Sequence, residues 1–308
     1  MVFTGRANPK LAADIAKHLK IKLGEIEISN FADGEISVQI KENVRGRAVF
    51  FVQPTCPPDI NNHLIELLVA IDAFRRSSAS EVVAVVPYFG YARQDRKDRP
   101  RVPISAKLIA NLLESSGIAR VVCIDLHSDQ VQGFFNIPVD NLYSSYVTIP
   151  ALKKLLKNNF VVVAPDVGGT VRARAYASRL KVPLGIVDKR RDPNVPNKAE
   201  ALHVIGDVKG KNVVIVDDMI DTAGTLVEAA TALKKAGSAS VFAAAAHGLF
   251  SGDALMKIEE SDIKQVIVTD TIPDRDSSKK IKVVSVAPLL AEAIKRIHQK
   301  KSISSLFV

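Results

Sequence analysis

Short runs of consecutive apolar residues punctuate this chain, separated by longer stretches in which apolar positions recur every three or four residues. The first pattern suits a strand buried on both faces and the second an amphipathic helix. Their alternation predicts an α/β fold with mostly parallel sheets flanked by helices. Strands are expected at 2–3, 36–40, 49–52, 82–86, 121–124, 161–163, 184–187, 213–216, 241–245, 266–268 and 283–286. Helices are expected over 64–76, 106–113, 172–180, 226–236 and 288–298, with another covering 153–157. The first helix starts at Asn8-Pro9, a capping residue followed by a proline in the first turn, with Leu11, Ile15 and Leu19 on its stripe. The apolar tail at 302–308 is expected to dock.

One unit of this pattern occurs twice. Arg45-Gly46-Arg47-Ala48-Val49 opens one strand–helix–strand run, and Lys209-Gly210-Lys211-Asn212-Val213 opens another. Each reaches Ser-Ala-Ser before its next strand, at 78–80 and 238–240, which implies a loop four residues longer in the first copy. A length of 308 residues also favours two domains. They are placed at 1–145 and 146–290, related by duplication, with a junction around 138–150 and a final helix and tail, 291–308, packed on the first domain.

Bulk composition narrows the chemistry. The net charge of +9 suits phosphorylated substrates or nucleic acid. No basic run reaches five residues and aromatics make up only 6%, which argues against a nucleic-acid partner. Cys56 and Cys123 lie in separate segments without metal-ligand spacing, as reduced thiols of a cytoplasmic protein do. No apolar run approaches membrane-spanning length, so no membrane partner is expected.

The repeat's second copy carries the strongest candidate chemistry, VVIVDDMIDTAGT at 213–225. An apolar strand, the carboxylates Asp217 and Asp218, the polar loop Asp221-Thr222-Ala223-Gly224-Thr225 and then a helix make an anion site. Free N–H groups and the helix dipole favour phosphate at the helix start, and threonine hydroxyls add donors. The carboxylates suit sugar hydroxyls or a hard cation. An ordinary capped strand–turn–helix is the plainer alternative. The first copy's loop, Gln53-Pro54-Thr55-Cys56-Pro57-Pro58, lacks the paired acids.

Other loops carry weaker signals. Phe31-Ala32-Asp33-Gly34-Glu35 reads as a turn with solvated acids. The run from Pro87 through Arg93-Gln94-Asp95 to Arg99 suits either a base-stacking polyphosphate clamp or a charged flexible loop. Asp125 and His127 at a strand end would share a face within reach of one metal, although such a pair is more often structural. Asp166 begins a second acid-then-glycine exit, and the proline-bearing stretch 188–197 reads as a mobile loop.

Taken together and in order, FADGE, YARQD, PISAKL, DLHSDQVQGFF, PDVGG, DKRR and DDMIDTAGT resemble the ribose-phosphate diphosphokinase family, also called phosphoribosyl diphosphate synthetases. The resemblance spans essentially the whole chain. It implies two phosphoribosyltransferase-like domains that move the β,γ-diphosphoryl group of Mg-ATP to ribose 5-phosphate, releasing AMP. It implies that residues 221–225 hold the 5-phosphate, that Asp217 and Asp218 meet the ribose hydroxyls, and that Lys189 and Arg191 are catalytic. Phe31, Asp33, Glu35, Arg93, Gln94, Asp95 and His127 match ATP-binding positions, and His127 and Asp166 match magnesium positions. The first three are implied to reach a neighbouring subunit's site, hence a hexamer built of dimers. Phosphate activation and ADP inhibition would involve Arg45, Gln132, Asn141, Ser302 and Ser304, although Asn43 stands where many members have serine. Ala223 replaces a common glycine, tolerable where φ is negative. The rivals are a phosphoribosyltransferase and a non-catalytic synthetase-associated subunit.

Overall fold

The computed structural model describes residues 1–156, 159–190, 201–273 and 278–307, with side chains left undescribed at Lys189, Arg190 and Ala201. The chain divides into two compact units. One comprises Met1–Ser144, Thr271–Pro273 and Ser285–Val308, and the other Ser145–Asp270 and Asp274–Val284. The second therefore ends before the expected 290, and the final helix in full belongs with the first.

In the first unit, strands β1 (Val2–Thr4), β4 (Ala48–Val52), β5 (Glu81–Val86), β6 (Arg120–Ile124) and β7 (Val139–Leu142) form a parallel sheet in that order. Alternate residues such as Phe51 and Ala84 on one face, Phe50 and Val83 on the other, are all buried, so both faces are covered. The helices α2 (Ile60–Arg76) and α3 (Ser105–Ser116) bring Leu67, Ile71, Phe74, Ile109 and Leu113 onto the first of these faces. Helix α1 (Pro9–Leu19) is capped by Asn8, whose side chain accepts from Leu11 N–H at 3.2 Å. It packs against the final helix α8 (Ala287–His298). An antiparallel hairpin, β2 (Ile26–Asn30) and β3 (Ile36–Ile40), docks its apolar face, Ile26, Ile28, Val38 and Ile40, on the α2 side. The tail does dock, with Leu306 buried and Arg296 Nη1 donating to Ser305 Oγ at 2.6 Å.

Strand β7 and the start of helix α4 (Ser145–Leu156) occupy what read as a bare junction. The strand is hidden in sequence because Asp140 and Asn141 are buried in its middle. Asp140 is held by Arg120 at 2.7 Å, although burial still raises its pKa.

The second unit contains α4 and the strands β8 (Phe160–Ala164), β9 (Leu184–Arg190), β10 (Ala201–Ile205), β11 (Asn212–Ile220), β12 (Ser240–Gly248), β13 (Ile263–Thr269) and β14 (Ile281–Val284). Their order is β10-β9-β8-β11-β12-β13-β14, parallel except for β10. Val213 and Ile215 face helices α6 (Gly224–Lys235) and α7 (Ala254–Glu260), while Val214 and Val216 face α4 and α5 (Thr170–Leu180). Neither β10 nor the short α7 was legible. The stretch 188–197 is only in part a loop, since β9 continues through Arg190; residues 191–197 lie outside the described residues.

The internal repeat is real in backbone detail, but its register shifts. Gly46 and Gly210 both adopt left-handed φ (+67° and +69°), and Arg47 and Lys211 both accept a backbone bond at the next strand's entrance. Ser78 corresponds to Gly237, not Ser238, since each has positive φ and donates three residues back at its helix end. The first copy is thus five residues longer, not four, and the extra residues lie in the helix rather than the loop, since α2 has 17 residues and α6 has 12. Ser238 therefore aligns with Ala79, and its hydroxyl is buried with no hydrogen-bond partner among the described residues. Ser238→Ala should raise stability by about 1 kcal/mol by removing that unsatisfied group. Urea unfolding checks this, and a loss of stability would mean that the hydroxyl is satisfied in solution.

Candidate functional site

Strand order decides where a ligand can sit. In the first unit's sheet the chain advances in one direction. In the second it runs from β8 to β9 and β10 on one side, then returns to β11 on the other. The loops leaving β8 and β11 diverge at that reversal and open a crevice at the carboxyl edge. A cavity of about 160 Å³ lies there, lined by Asp166, Asp217 and the loop from Asp221 to Thr225. The structure thus brings Asp166 together with the phosphate-loop candidates.

Both acids belong to the strand itself, which runs on to Ile220 with Asp217 opposite Ala245 and Met219 opposite His247. The expectation that β11 stops at Val216 is corrected: Met219 and Ile220 keep it paired to β12. Alternation then separates the acids. Asp217 follows Val213 and Ile215 and lines the cavity. Asp218 follows Val214 and Val216 and is only 5% exposed. Arg172, in the first turn of α5, stands 3.4 Å from Asp218 and 3.8 Å from Asp217. Burial, then the hydrogen bond and repulsion from Asp218, raise the Asp217 carboxyl to about 7; the Asp218 N–H and Arg172 pull the other way. Sequence marks Arg172 only as a helix position, because the acids it meets lie more than forty residues further along the chain.

The loop 221–224 turns into α6, whose first N–H groups have no partner within the helix. Ala223 sits at the N-cap with φ +60° and ψ +4° and is buried. The condition set for tolerating alanine there, a negative φ, is not met. Its Cβ is held in the left-handed region because its carbonyl accepts from Val227 N–H at 3.0 Å, which starts the helix. Asp166 Oδ1 accepts from Gly169 N–H at 2.9 Å, and bare Gly168 and Gly169 let the loop close around that carboxylate.

Strands β5 and β6 are neighbours, so the loops carrying Arg93, Gln94, Asp95 and His127 leave one edge of the first sheet. Gln94 is tied to α3: its Oε1 accepts from Ser105 Oγ at 2.6 Å and its carbonyl from Ala106 N–H at 3.2 Å. Arg93 and His127 are exposed. Asp125 does not share a face with His127. It is buried at φ +42° beyond the strand's end, and its carboxylate accepts from Ser144 N–H at 2.8 Å. At the hairpin tip Asp33 and Glu35 are exposed, and Asp33 Oδ1 accepts from Glu35 N–H at 3.0 Å across a Gly34 with φ +97°. Phe31 is 58% exposed.

Of the regulatory candidates, Asn141 is buried. Its amide donates to Asp129 Oδ1 at 3.0 Å and accepts from Leu126 N–H at 3.0 Å. Ser302 and Ser304 bond each other at 3.0 Å, Gln132 Nε2 donates to Asp129 O at 3.1 Å, and Arg45 N–H donates to Asn43 Oδ1 at 3.0 Å. The side chain of Lys189 and all of Arg191 lie outside the described residues.

Known proteins resemble the chain throughout. Residues 1–117 match the family described as the N-terminal domain of ribose phosphate pyrophosphokinase, and 188–308 the phosphoribosyl synthetase-associated domain. A ribose-phosphate pyrophosphokinase from Caldanaerobacter subterraneus subsp. tengcongensis is 54% identical over 99% of this chain and 97% of its own. One from Wolinella succinogenes is 53% identical over 100% and 98%. A crystal structure of phosphoribosylpyrophosphate synthetase from Mycobacterium smegmatis superposes with TM-score 0.92 at 40% identity, covering 97% of this chain and 99% of that one.

Ala223→Gly should stabilise the fold by about 1 kcal/mol, the left-handed penalty less glycine's extra unfolded freedom. Chemical denaturation decides it, and a destabilised variant would rule out the positive φ. For Asp217 the sign follows from a carboxyl at about 7 in the fold against 3.8 unfolded. The folded chain holds the extra proton between those values, so stability falls as pH rises from about 4 to about 7 and levels off above. Asp217→Asn removes that dependence and should stabilise more at pH 8 than at pH 5, by a margin on the order of 2 kcal/mol. An equal effect at both pH values would remove the raised carboxyl from the account.

Proposed function

The chain belongs to the ribose-phosphate pyrophosphokinase family, and on that premise we propose how each unit serves the transfer of the β,γ-diphosphoryl group of ATP to the C1 hydroxyl of ribose 5-phosphate, with AMP released. The second unit holds the acceptor. What carries this assignment is the convergence of Asp166, Asp217 and residues 221–225 on one cavity at the start of α6. The N–H groups and dipole there suit the 5-phosphate, with Thr222 and Thr225 adding hydroxyl donors. Asp217 accepts from the ribose hydroxyls. Asp218, held behind it by Arg172, keeps the strand end negative and ordered.

The first unit presents the donor. Arg93 offers a planar guanidinium to phosphate, Gln94 and Asp95 polar contacts, and His127 an imidazole from the adjacent loop. Phe31, Asp33 and Glu35 serve the ATP site of a neighbouring subunit, which requires a homo-oligomer, taken as a hexamer of dimers. The strongly exposed Phe31 on a narrow hairpin supports this role. Lys189 and Arg191 stabilise negative charge on the transferring group and on leaving AMP. Strand β9 is parallel to β8, so it delivers the chain at Arg190 to the same carboxyl edge as the acceptor cavity.

The residues fit magnesium. Among the described residues no cluster of three or more His, Cys, Asp and Glu could hold an ion, and Mg²⁺ is usually held by one or two carboxylates together with substrate phosphates and water. Asp166 in the second unit would supply a carboxylate to an ion, and His127 in the first unit would offer a water-mediated contact of its own; a bound ion would neutralise phosphate charge. Phosphate and ADP act through Arg45, Gln132, Ser302 and Ser304, with Asn141 bracing the β6 loop from its buried position. A cytoplasmic setting accords with the buried thiols of Cys56 and Cys123, and no described helix is long and apolar enough to cross a membrane.

The purified chain should release AMP from ATP in the presence of magnesium and ribose 5-phosphate, and a chelator should abolish that release. Lys189→Ala should lower kcat at least a hundredfold with less than a threefold change in KM for ribose 5-phosphate, because its contact forms mainly in the transition state. Unchanged turnover would take Lys189 out of the catalytic role.

A further inference from the structure

The hairpin is gripped at its tip end by an ion pair between a buried carboxylate and a half-exposed guanidinium. Glu66 of α2 is fully buried, and three donors converge on it. Its Oε1 accepts from Arg6 N–H at 2.6 Å and Gln53 Nε2 at 2.9 Å, and its Oε2 from Arg6 Nε at 2.6 Å. Gln53 Oε1 in turn accepts from Ala7 N–H at 3.1 Å. The approach is so close that a Cβ on Gly5 would lie 2.2 Å from Gln53 Oε1 and 2.7 Å from Glu66 Oε1. Glycine is the residue that fits there. The segment 5–7 is therefore fixed against the end of β4 and the second turn of α2.

Arg6 has a second face. Its Nη1 reaches out of this buried network and donates to Asn30 Oδ1 at 2.6 Å, while Asn30 Nδ2 donates to Gly34 O at 2.8 Å. One guanidinium thus joins a buried carboxylate to the last residue of β2, and that residue grips the turn holding Phe31, Asp33 and Glu35. A planar fork meets the two acceptors from separate nitrogens, whereas an ammonium would have to reach both from a single one. The hairpin's own strands bury only one face against the core, so little else fixes the tip's angle. A two-stranded ribbon is soft unless anchored.

We infer that Arg6 is a positioning residue for the donor nucleotide, setting the angle at which the hairpin tip is presented through Glu66 on one side and Asn30 on the other. This rests on the assignment of Phe31, Asp33 and Glu35 to ATP. Steady-state kinetics on the full chain test it with Arg6→Met, Arg6→Lys, Asn30→Ala and the double variant Arg6→Met/Asn30→Ala, beside Phe31→Ala. Arg6→Met and Asn30→Ala should each raise KM for ATP about tenfold, leave KM for ribose 5-phosphate within twofold, and reduce kcat less than threefold. The double variant should be no worse than Arg6→Met alone, and Arg6→Lys should fall between it and the parent. Asn30 is exposed, so its variant reports even if Arg6→Met does not fold. If Phe31→Ala raises KM for ATP while Asn30→Ala does not, the positioning role is wrong. If Phe31→Ala also leaves it unchanged, the hairpin's assignment to ATP fails first. Equal rises in both KM values would mark a general loss of structure and also overturn it.

Discussion

The reversal of strand order between β8 and β11 is the constraint on which the rest depends. A parallel sheet wound in one direction sends its crossovers past one another and leaves no opening. Winding outward to β9 and β10, then back to β11, parts two loops at the carboxyl edge. Asp166 and the loop 221–225 are the ends of those two strands, so their meeting in one cavity is a consequence of topology. The first unit has the same strand–helix–strand element but no reversal, and its copy of the loop carries prolines and Cys56 in place of acids.

The reversal also explains the uneven treatment of the two neighbouring aspartates. A strand at the middle of a covered sheet must put successive side chains on opposite faces. One acid is thereby given to the cavity and the other to the buried α5 face, where it survives only with a cation near it. Arg172 is that cation. Removing two carboxylates from water side by side is costly, and the raised Asp217 carboxyl is where the cost appears.

Much of this was legible in sequence, because buried strands read as apolar runs and helices as apolar positions recurring every three or four residues. The elements that escaped did so for separate reasons. Strand β7 holds a buried aspartate and asparagine that pair internally, β10 is a lone antiparallel edge, and α7 spans seven residues. Strand β11 was cut short since charge was taken to end it, when pairing with β12 outweighs that penalty. The repeat was visible, but its Ser-Ala-Ser match was a coincidence of letters displaced by one position. Backbone sign resolves it: Ser78 and Gly237 share the left-handed turn. Of the site, motif residues were legible. Arg172 and the Arg6–Glu66–Asn30 chain were not, because partners distant in sequence leave no local pattern.

The two devices that hold ligand-bearing segments differ in kind. In the second unit the loop is fixed by backbone geometry, with Ala223 carrying positive φ so that α6 can begin where it does. In the first the hairpin lies outside the parallel sheet and has no such scaffold, so side chains must do the fixing. A carboxylate buried as deeply as Glu66 would be a liability unless fully hydrogen-bonded, and the guanidinium that helps satisfy it through Nε keeps its Nη donors facing outward. One of those donors is what Asn30 takes up. The satisfaction of a core charge and the orientation of a surface turn are therefore one arrangement, and neither can be altered without the other.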